Sequence, residues 1–195
     1  MNLSFIPDNP GIIAGIVAVI VIIIVAFIAK GFIDELAARG FKDGEKIRID
    51  RQNAQGDQTT LANIGSRFVS AKSELIFASS TPALQAMARA TKSIPIVATA
   101  VTSFEAARVV KSDKAPGGNV TGVSDLGPIA AQFDLLMKLV PNAKTIGTIY
   151  NSSEINSAYQ VDILKKAAAE RGVEVLEATV SSVNEIGRAS CRERV

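Results

Sequence analysis

Strand-like and helix-like segments alternate along this chain with short loops between them, and that alternation constrains the fold more than any other feature. Lys46–Asp50 alternates apolar and polar residues, with Ile47 and Ile49 on one face. Gln58–Ala71 then carries Leu61, Ile64, Phe68 and Val69 at helical spacing. Leu75–Ala78 reads as a strand, Thr81–Thr91 as a helix, Ile94–Ala98 as a strand and Phe104–Val110 as a short helix. The order continues with a strand at Val120–Val123 and a helix at Pro128–Leu139, whose inner face is Phe133, Leu136, Met137 and Val140. A strand at Thr145–Tyr150, a helix at Glu154–Arg171 and a strand at Val173–Ala178 follow. One more helix, Phe32–Arg39, precedes them all. Gly40 is its stop signal, as Gly172 is for the helix ending at Arg171. Serial units of this kind require right-handed crossovers and a mostly parallel sheet covered on both faces. The fold class is α/β, and such sheets bind ligands outside the carboxyl ends of their strands.

Composition excludes several kinds of chemistry. The chain has no His and a single Cys, Cys191, which rules out a His-based triad, a His–Cys metal site and an internal disulfide framework. No activated nucleophile or carboxylate pair is visible, so no enzyme, no cofactor and no metal is expected. The net charge is +2, without the clustered basic surface that phosphate binding demands, so nucleic acid is not an expected partner.

Polar residues gather after the strands. The loops are Ser79-Ser80-Thr81-Pro82-Ala83, Ala98-Thr99-Ala100-Val101-Thr102-Ser103, Ser124-Asp125, and Tyr150-Asn151-Ser152-Ser153-Glu154-Ile155-Asn156-Ser157. Hydroxyls and backbone N–H groups at helix N-termini form a cradle suited to a carboxylate. An Asp on a neighbouring loop suits an ammonium, so together they fit a zwitterionic amino acid. The candidate ligand-binding residues are Ser80, Thr81, Pro82, Thr99, Thr102, Ser124, Asp125, Tyr150, Asn151, Ser153 and Asn156. Each has a plainer alternative: Ser, Thr and Asn cap helices everywhere, Asp125 is also placed to cap the helix after Pro128, and Tyr150 is either a stacking wall or a strand-end aromatic.

The two ends differ from the middle. Gly11–Ala29 is uniformly apolar, and as a helix it would be roughly 28 Å long against a hydrocarbon core of ~30 Å, which predicts a transmembrane helix. Lys30, Arg39 and Lys42 follow it and nothing basic precedes it, which would place the following residues in the cytoplasm. The tail Glu185–Val195 breaks the preceding pattern. It back-translates cleanly into a string resembling a common short-read sequencing adapter, and is read as non-native.

Several segments carry a family resemblance. They are Ile49-Asp50-Arg51-Gln52-Asn53-Ala54-Gln55-Gly56-Asp57-Gln58, Thr81-Pro82-Ala83, Ile94-Pro95-Ile96-Val97, the run from Pro116 to Asp125, and Tyr150-Asn151-Ser152-Ser153-Glu154. From Gly31 to Asn184 the chain resembles ABC-transporter substrate-binding proteins, the family that includes tryptophan- and tyrosine-binding members. The resemblance implies a two-lobed type I periplasmic-binding-protein-like fold, here truncated, with a small amino acid, aromatic ones included, held in the cleft. It also implies hinge closure read by a membrane permease. In its terms the Thr81 and Thr99–Thr102 loops line the first lobe, Ser124–Asp125 lies near the crossover, and Tyr150–Asn156 lines the second. Ser103 departs from the family, which often has Asp there.

The expected organisation is a transmembrane-like segment over 1–30, either a true anchor or an artefact of frameshift or misassembly, a first lobe over 31–123 lacking its usual first strand, the start of a second lobe over 124–184, and the non-native tail over 185–195. The expected function is the solute-binding component of an ABC importer. That component would be membrane-anchored through the N-terminal segment, with its binding domain on the extracellular or periplasmic side and an ABC permease as partner. The alternative is a membrane-anchored or regulatory ligand-sensing domain of the same fold, which the Lys/Arg asymmetry favours.

Overall fold

The computed structural model describes residues 27–181. The chain divides into two compact units, Met1–Asp57 and Gln58–Val195.

In the first unit the helix α1 is described over residues 27–38. It ends as its sequence predicts. Gly40 takes φ 86°, Phe41 N–H donates to Leu36 O and Gly40 N–H to Ala37 O, the paired bonds of a left-handed helix stop. The strand expected at Lys46–Asp50 is not formed; only an isolated bridge joins Asp43 and Ile47. The reason is local competition for the backbone. Asp43 Oδ1 accepts from Ile49 N–H at 2.8 Å, and Gly44 N–H donates to Ile47 O, so the segment folds on itself.

The expected N-terminal transmembrane helix requires correction. No helix among the described residues is long and apolar enough to cross a membrane. Of the apolar run, only residues 27–29 are described, in a helix that continues through charged Lys30, Asp34 and Glu35. The rest of that run, and the tail over 185–195, lie outside the described residues. The membrane-anchored localisation inferred from such a helix, and membrane contact as a partner, are corrected with it.

The second unit begins with α2 (Gln58–Ser70), β1 (Ile76–Ser79), α3 (Thr81–Ala90), β2 (Ile96–Val101) and β3 (Val120–Ser124). The three strands form one parallel sheet in the order β1-β2-β3. Ile76, Ala78, Ile96, Ala98 and Val120 point to a face covered by Leu84, Met87 and Ala88 of α3, and Ile64 and Phe68 of α2 pack behind. Leu84 and Ile96 are fully buried. α2 reaches α3 closely because residue 65 is Gly; a Cβ there would stand 2.9 Å from the Ala90 Cβ.

The register between β2 and β3 shifts between Ala98 and Val101. Ala100 adopts φ 54° inside that irregularity, a left-handed conformation unusual for a residue with a side chain. Across from Ala98, the last paired residue before the shift, a Cβ at Gly122 would lie 2.0 Å from Ala98 O, so only glycine is accommodated. The helix expected at Phe104–Val110 is instead a run of turns over 104–108, in which Arg108 has φ 58°.

The remaining elements are α4 (Ile129–Leu139), β4 (Thr145–Asn151), α5 (Ile155–Ala169) and β5 (Glu174–Val180). β4 and β5 form a second parallel sheet in unbroken register from Thr145–Glu174 to Asn151–Val180. Its core is smaller: Phe133, Ala168 and Val173 are buried, with Met137, Ile146, Leu164 and Val175 against them. The expected inner face of α4 is only partly realised. Phe133 is buried, but Leu136 and Val140 are exposed, as are Leu135 and Leu139. α4 packs against α5 through one flank, and no described residue covers the other.

Candidate functional site

The two ends of the first sheet are finished differently. At the amino ends of its strands the polar groups are paired. Asn119 Nδ2 donates to Ile94 O at 2.7 Å and to Thr91 O at 3.3 Å, while Thr91 Oγ1 accepts from the N–H groups of Ser93 and Ile94. At the carboxyl ends, polar atoms are left over. Ser79 Oγ and Thr81 Oγ1 are buried and have no hydrogen-bond partner among the described residues. Thr81 is only 2% exposed. A buried hydroxyl without a partner costs about 1–3 kcal/mol, so native chains rarely retain one without a reason.

Ser80 sits between these two hydroxyls with φ 105° and ψ 153°, a region glycine normally occupies. Its N–H donates to Thr99 O at 3.0 Å, which ties β1 to β2, and its Oγ accepts from Ala83 N–H at 3.3 Å as the N-cap of α3. Pro82 in the first turn has no N–H, and Leu84 N–H is taken by Ser80 O. The Thr81 N–H therefore remains as the first-turn donor. It lies beside the Ser79 and Thr81 hydroxyls at the positive end of α3, the kind of position that suits an anion.

The other predicted residues of the first sheet converge on this end. Thr99 is half-buried and Thr102 buried. Ser124 Oγ donates to Thr102 O at 2.8 Å and accepts from Leu126 N–H, so that hydroxyl braces the chain as it leaves the sheet. Asp125 N–H donates to Val101 O, and this holds the exposed residue at the strand end. Ser103, where sequence left the loop without its expected Asp, caps the following turn by accepting from Ala106 N–H at 3.1 Å.

The predicted residues of the second sheet gather at the carboxyl end of β4. Asn151 Oδ1 accepts from both Ser153 N–H and Ser153 Oγ, and Asn151 Nδ2 donates to Glu154 Oε1 at 3.4 Å. That turn satisfies itself. Asn156 differs, because its Oδ1 is buried and unpartnered at the start of α5. Tyr150 shares a face with Ile146, which packs against α5. Its hydroxyl donates to Glu177 Oε2 at 2.9 Å, and Lys165 Nζ donates to Glu177 Oε1 at 2.6 Å. The bond to Glu177 holds the Tyr150 phenol above its usual range and raises Lys165, while the Lys165 bond holds Glu177 below the usual carboxylate range.

Sequence reasoning did not single out Ser79. Its signal was present: a hydroxyl at the last position of an otherwise apolar strand, directly before the loop.

Comparison with known proteins bears on these sites. A family model described as ABC transporter substrate binding protein matches residues 16–192. The chain belongs to that family. A curated relative, a tyrosine-binding protein of Clostridioides difficile, is 50% identical over 160 residues, covering 82% of this chain and 46% of the relative. A solved structure of an ABC domain in complex with L-Trp, from Streptococcus pneumonia, is 41% identical with a TM-score of 0.81, covering 88% of this chain and 58% of that one. A conserved domain protein from Vibrio cholerae is 37% identical with a TM-score of 0.79, covering 83% and 54%. The chain therefore spans about half the length of the relatives it matches. The likeness supports the two-lobed periplasmic-binding-protein-like fold, and the two parallel sheets with separate cores are its local expression.

Proposed function

We propose that this protein is the solute-binding component of an ABC importer and that it holds an aromatic amino acid, tyrosine or tryptophan, at the carboxyl ends of its strands. The observation that carries the reading is the set of buried, unpartnered polar atoms, Ser79 Oγ, Thr81 Oγ1 and Asn156 Oδ1, all at strand-to-helix connections. The ligand carboxylate accepts from the Thr81 N–H and the Ser79 and Thr81 hydroxyls, and Asp125 faces the ammonium. Asn156 meets the ligand from the second lobe. The relatives described as tyrosine-binding and as complexed with L-Trp support an aromatic side chain. Binding proceeds without turnover, and the occupied form is passed to a permease.

Isothermal titration of the full-length gene product against the common L-amino acids tests this. Saturable 1:1 binding of tyrosine or tryptophan, abolished by esterifying the ligand carboxylate, is the expected result. A protein that binds neither, or binds the ester equally well, refutes it.

A further inference from the structure

The helix α5 carries two stripes. Leu164 and Ala168 pack into the core of the second sheet, and Val161, in the same stripe, is buried. Ile155, Ala158, Tyr159 and Asp162, spaced i, i+3, i+4 and i+7, form another helix face that the sheet does not use. This second stripe lines a hollow of about 280 Å³ whose opposite wall is Glu105, Ala106 and Arg108. Those three belong to the turn that directly follows Thr102 and Ser103, and α5 directly follows the Asn151–Glu154 turn. The hollow is thus continuous in sequence with both sets of candidate binding residues.

Its lining is mixed in a particular way. Ile155, Ala158, Ala106 and the Tyr159 ring supply apolar surface, and Arg108 and Asp162 are exposed at its edge. Arg108 is held there by a left-handed backbone, φ 58°, that ends the run of turns. Of the two tyrosines, Tyr150 has its hydroxyl committed to Glu177, whereas Tyr159 is half-buried and faces the hollow.

We infer that this hollow receives the side chain of the bound amino acid, with Tyr159 as the aromatic wall that selects ring-bearing ligands. The inference rests on the amino-acid-binding reading above and adds the residue that sets its specificity. An aromatic ligand ring gains an offset or edge-to-face contact with Tyr159 that an aliphatic side chain does not make. Arg108 and Asp162, on opposite walls, close the rim over the ring.

The test is selectivity, measured by titrating the full-length gene product with L-tryptophan, L-tyrosine and L-leucine. Tyr159→Leu should weaken both aromatic ligands by about tenfold or more while changing leucine by less than about threefold. Tyr159→Phe keeps the ring and should retain the aromatic preference. Ala106→Phe, which fills the hollow from the opposite wall, should reproduce the loss if Tyr159→Leu does not fold. An unaltered aromatic-to-leucine ratio in Tyr159→Leu or Ala106→Phe overturns the inference while amino-acid binding stands. A wild-type protein that binds no amino acid overturns both.

Discussion

The first sheet and the second are built from the same parallel units, yet they treat their polar groups differently. Around β1–β3, ten buried hydrophobic residues form one core, and the strain and the unpaired hydroxyls sit together at one end, in Ser79, Ser80, Thr81 and Ala100. Around β4–β5, three buried residues form the core, and the strand-end turn closes on itself through Asn151. Tyr150, Glu177 and Lys165 likewise satisfy one another. A large core can hold a backbone in an unfavourable conformation and bury a hydroxyl without a partner. The smaller core carries less of that cost: its strand-end turn uses local bonds, and among the described residues Asn156 Oδ1 is the one buried side-chain atom left unpaired there.

The largest test of that contrast is the core itself. Leu84→Ala should destabilise the chain by about 2–5 kcal/mol in chemical denaturation, because Leu84 is fully buried beneath β1 and β2. Leu139→Lys on the exposed flank of α4 should stay within about 0.5 kcal/mol of wild type. Equal effects would show that the two regions are not differently packed.

Next in size is Gly122→Ala. The added Cβ meets backbone rather than a flexible side chain, so a loss of about 1–3 kcal/mol is expected, with weakened β2–β3 amide protection in hydrogen exchange. An unchanged protection pattern would mean that the bulge at Ala98–Val101 yields.

Thr81→Val separates stability from binding. It removes a buried, unpaired hydroxyl at nearly constant volume, so it should stabilise the ligand-free protein by about 1 kcal/mol while weakening amino-acid affinity. Loss of stability would mean that the hydroxyl is paired after all. Asn151→Ala, by contrast, breaks a satisfied turn and should cost about 0.5–1.5 kcal/mol.

The smallest effect is that of pH. Glu177 has a depressed folded-state pKa, so its contribution is present above the ordinary carboxylate value and is lost as pH falls through the lower folded value. Lys165 and Tyr150 are raised, so their contributions are present below their ordinary values and fade as pH rises through the raised ones. All three are solvent-screened, so Glu177→Gln should only slightly flatten the acid limb of a stability–pH curve.

Much of the fold was legible from local pattern. Thr81-Pro82 marked the start of α3 to within one residue, the cap falling on Ser80 rather than Thr81; Gly40 and Gly172 took the positive φ their positions require, and the parallel pairing followed from the alternation of elements. The failures have a common cause. Lys46–Asp50 alternates like a strand, but a strand exists only beside a partner, and here Asp43 took the Ile49 N–H. Phe104–Val110 has helical spacing, but Ser103 and a left-handed Arg108 close it after little more than a turn. Leu136 and Val140 have core character, yet burial depends on what covers them.

The candidate site divides the same way. Sequence alone determined which residue types gather at the strand ends, because period, caps and turn residues act over a few neighbours. Only tertiary structure decided which of them are committed elsewhere. Ser124 was drawn to Thr102 and Tyr150 to Glu177, while Ser79, Thr81 and Asn156 were left unpaired. A hydrogen bond between residues 22 or 27 positions apart, as in the Ser124 and Tyr150 pairs, depends on the packing of whole elements, and no local pattern encodes it.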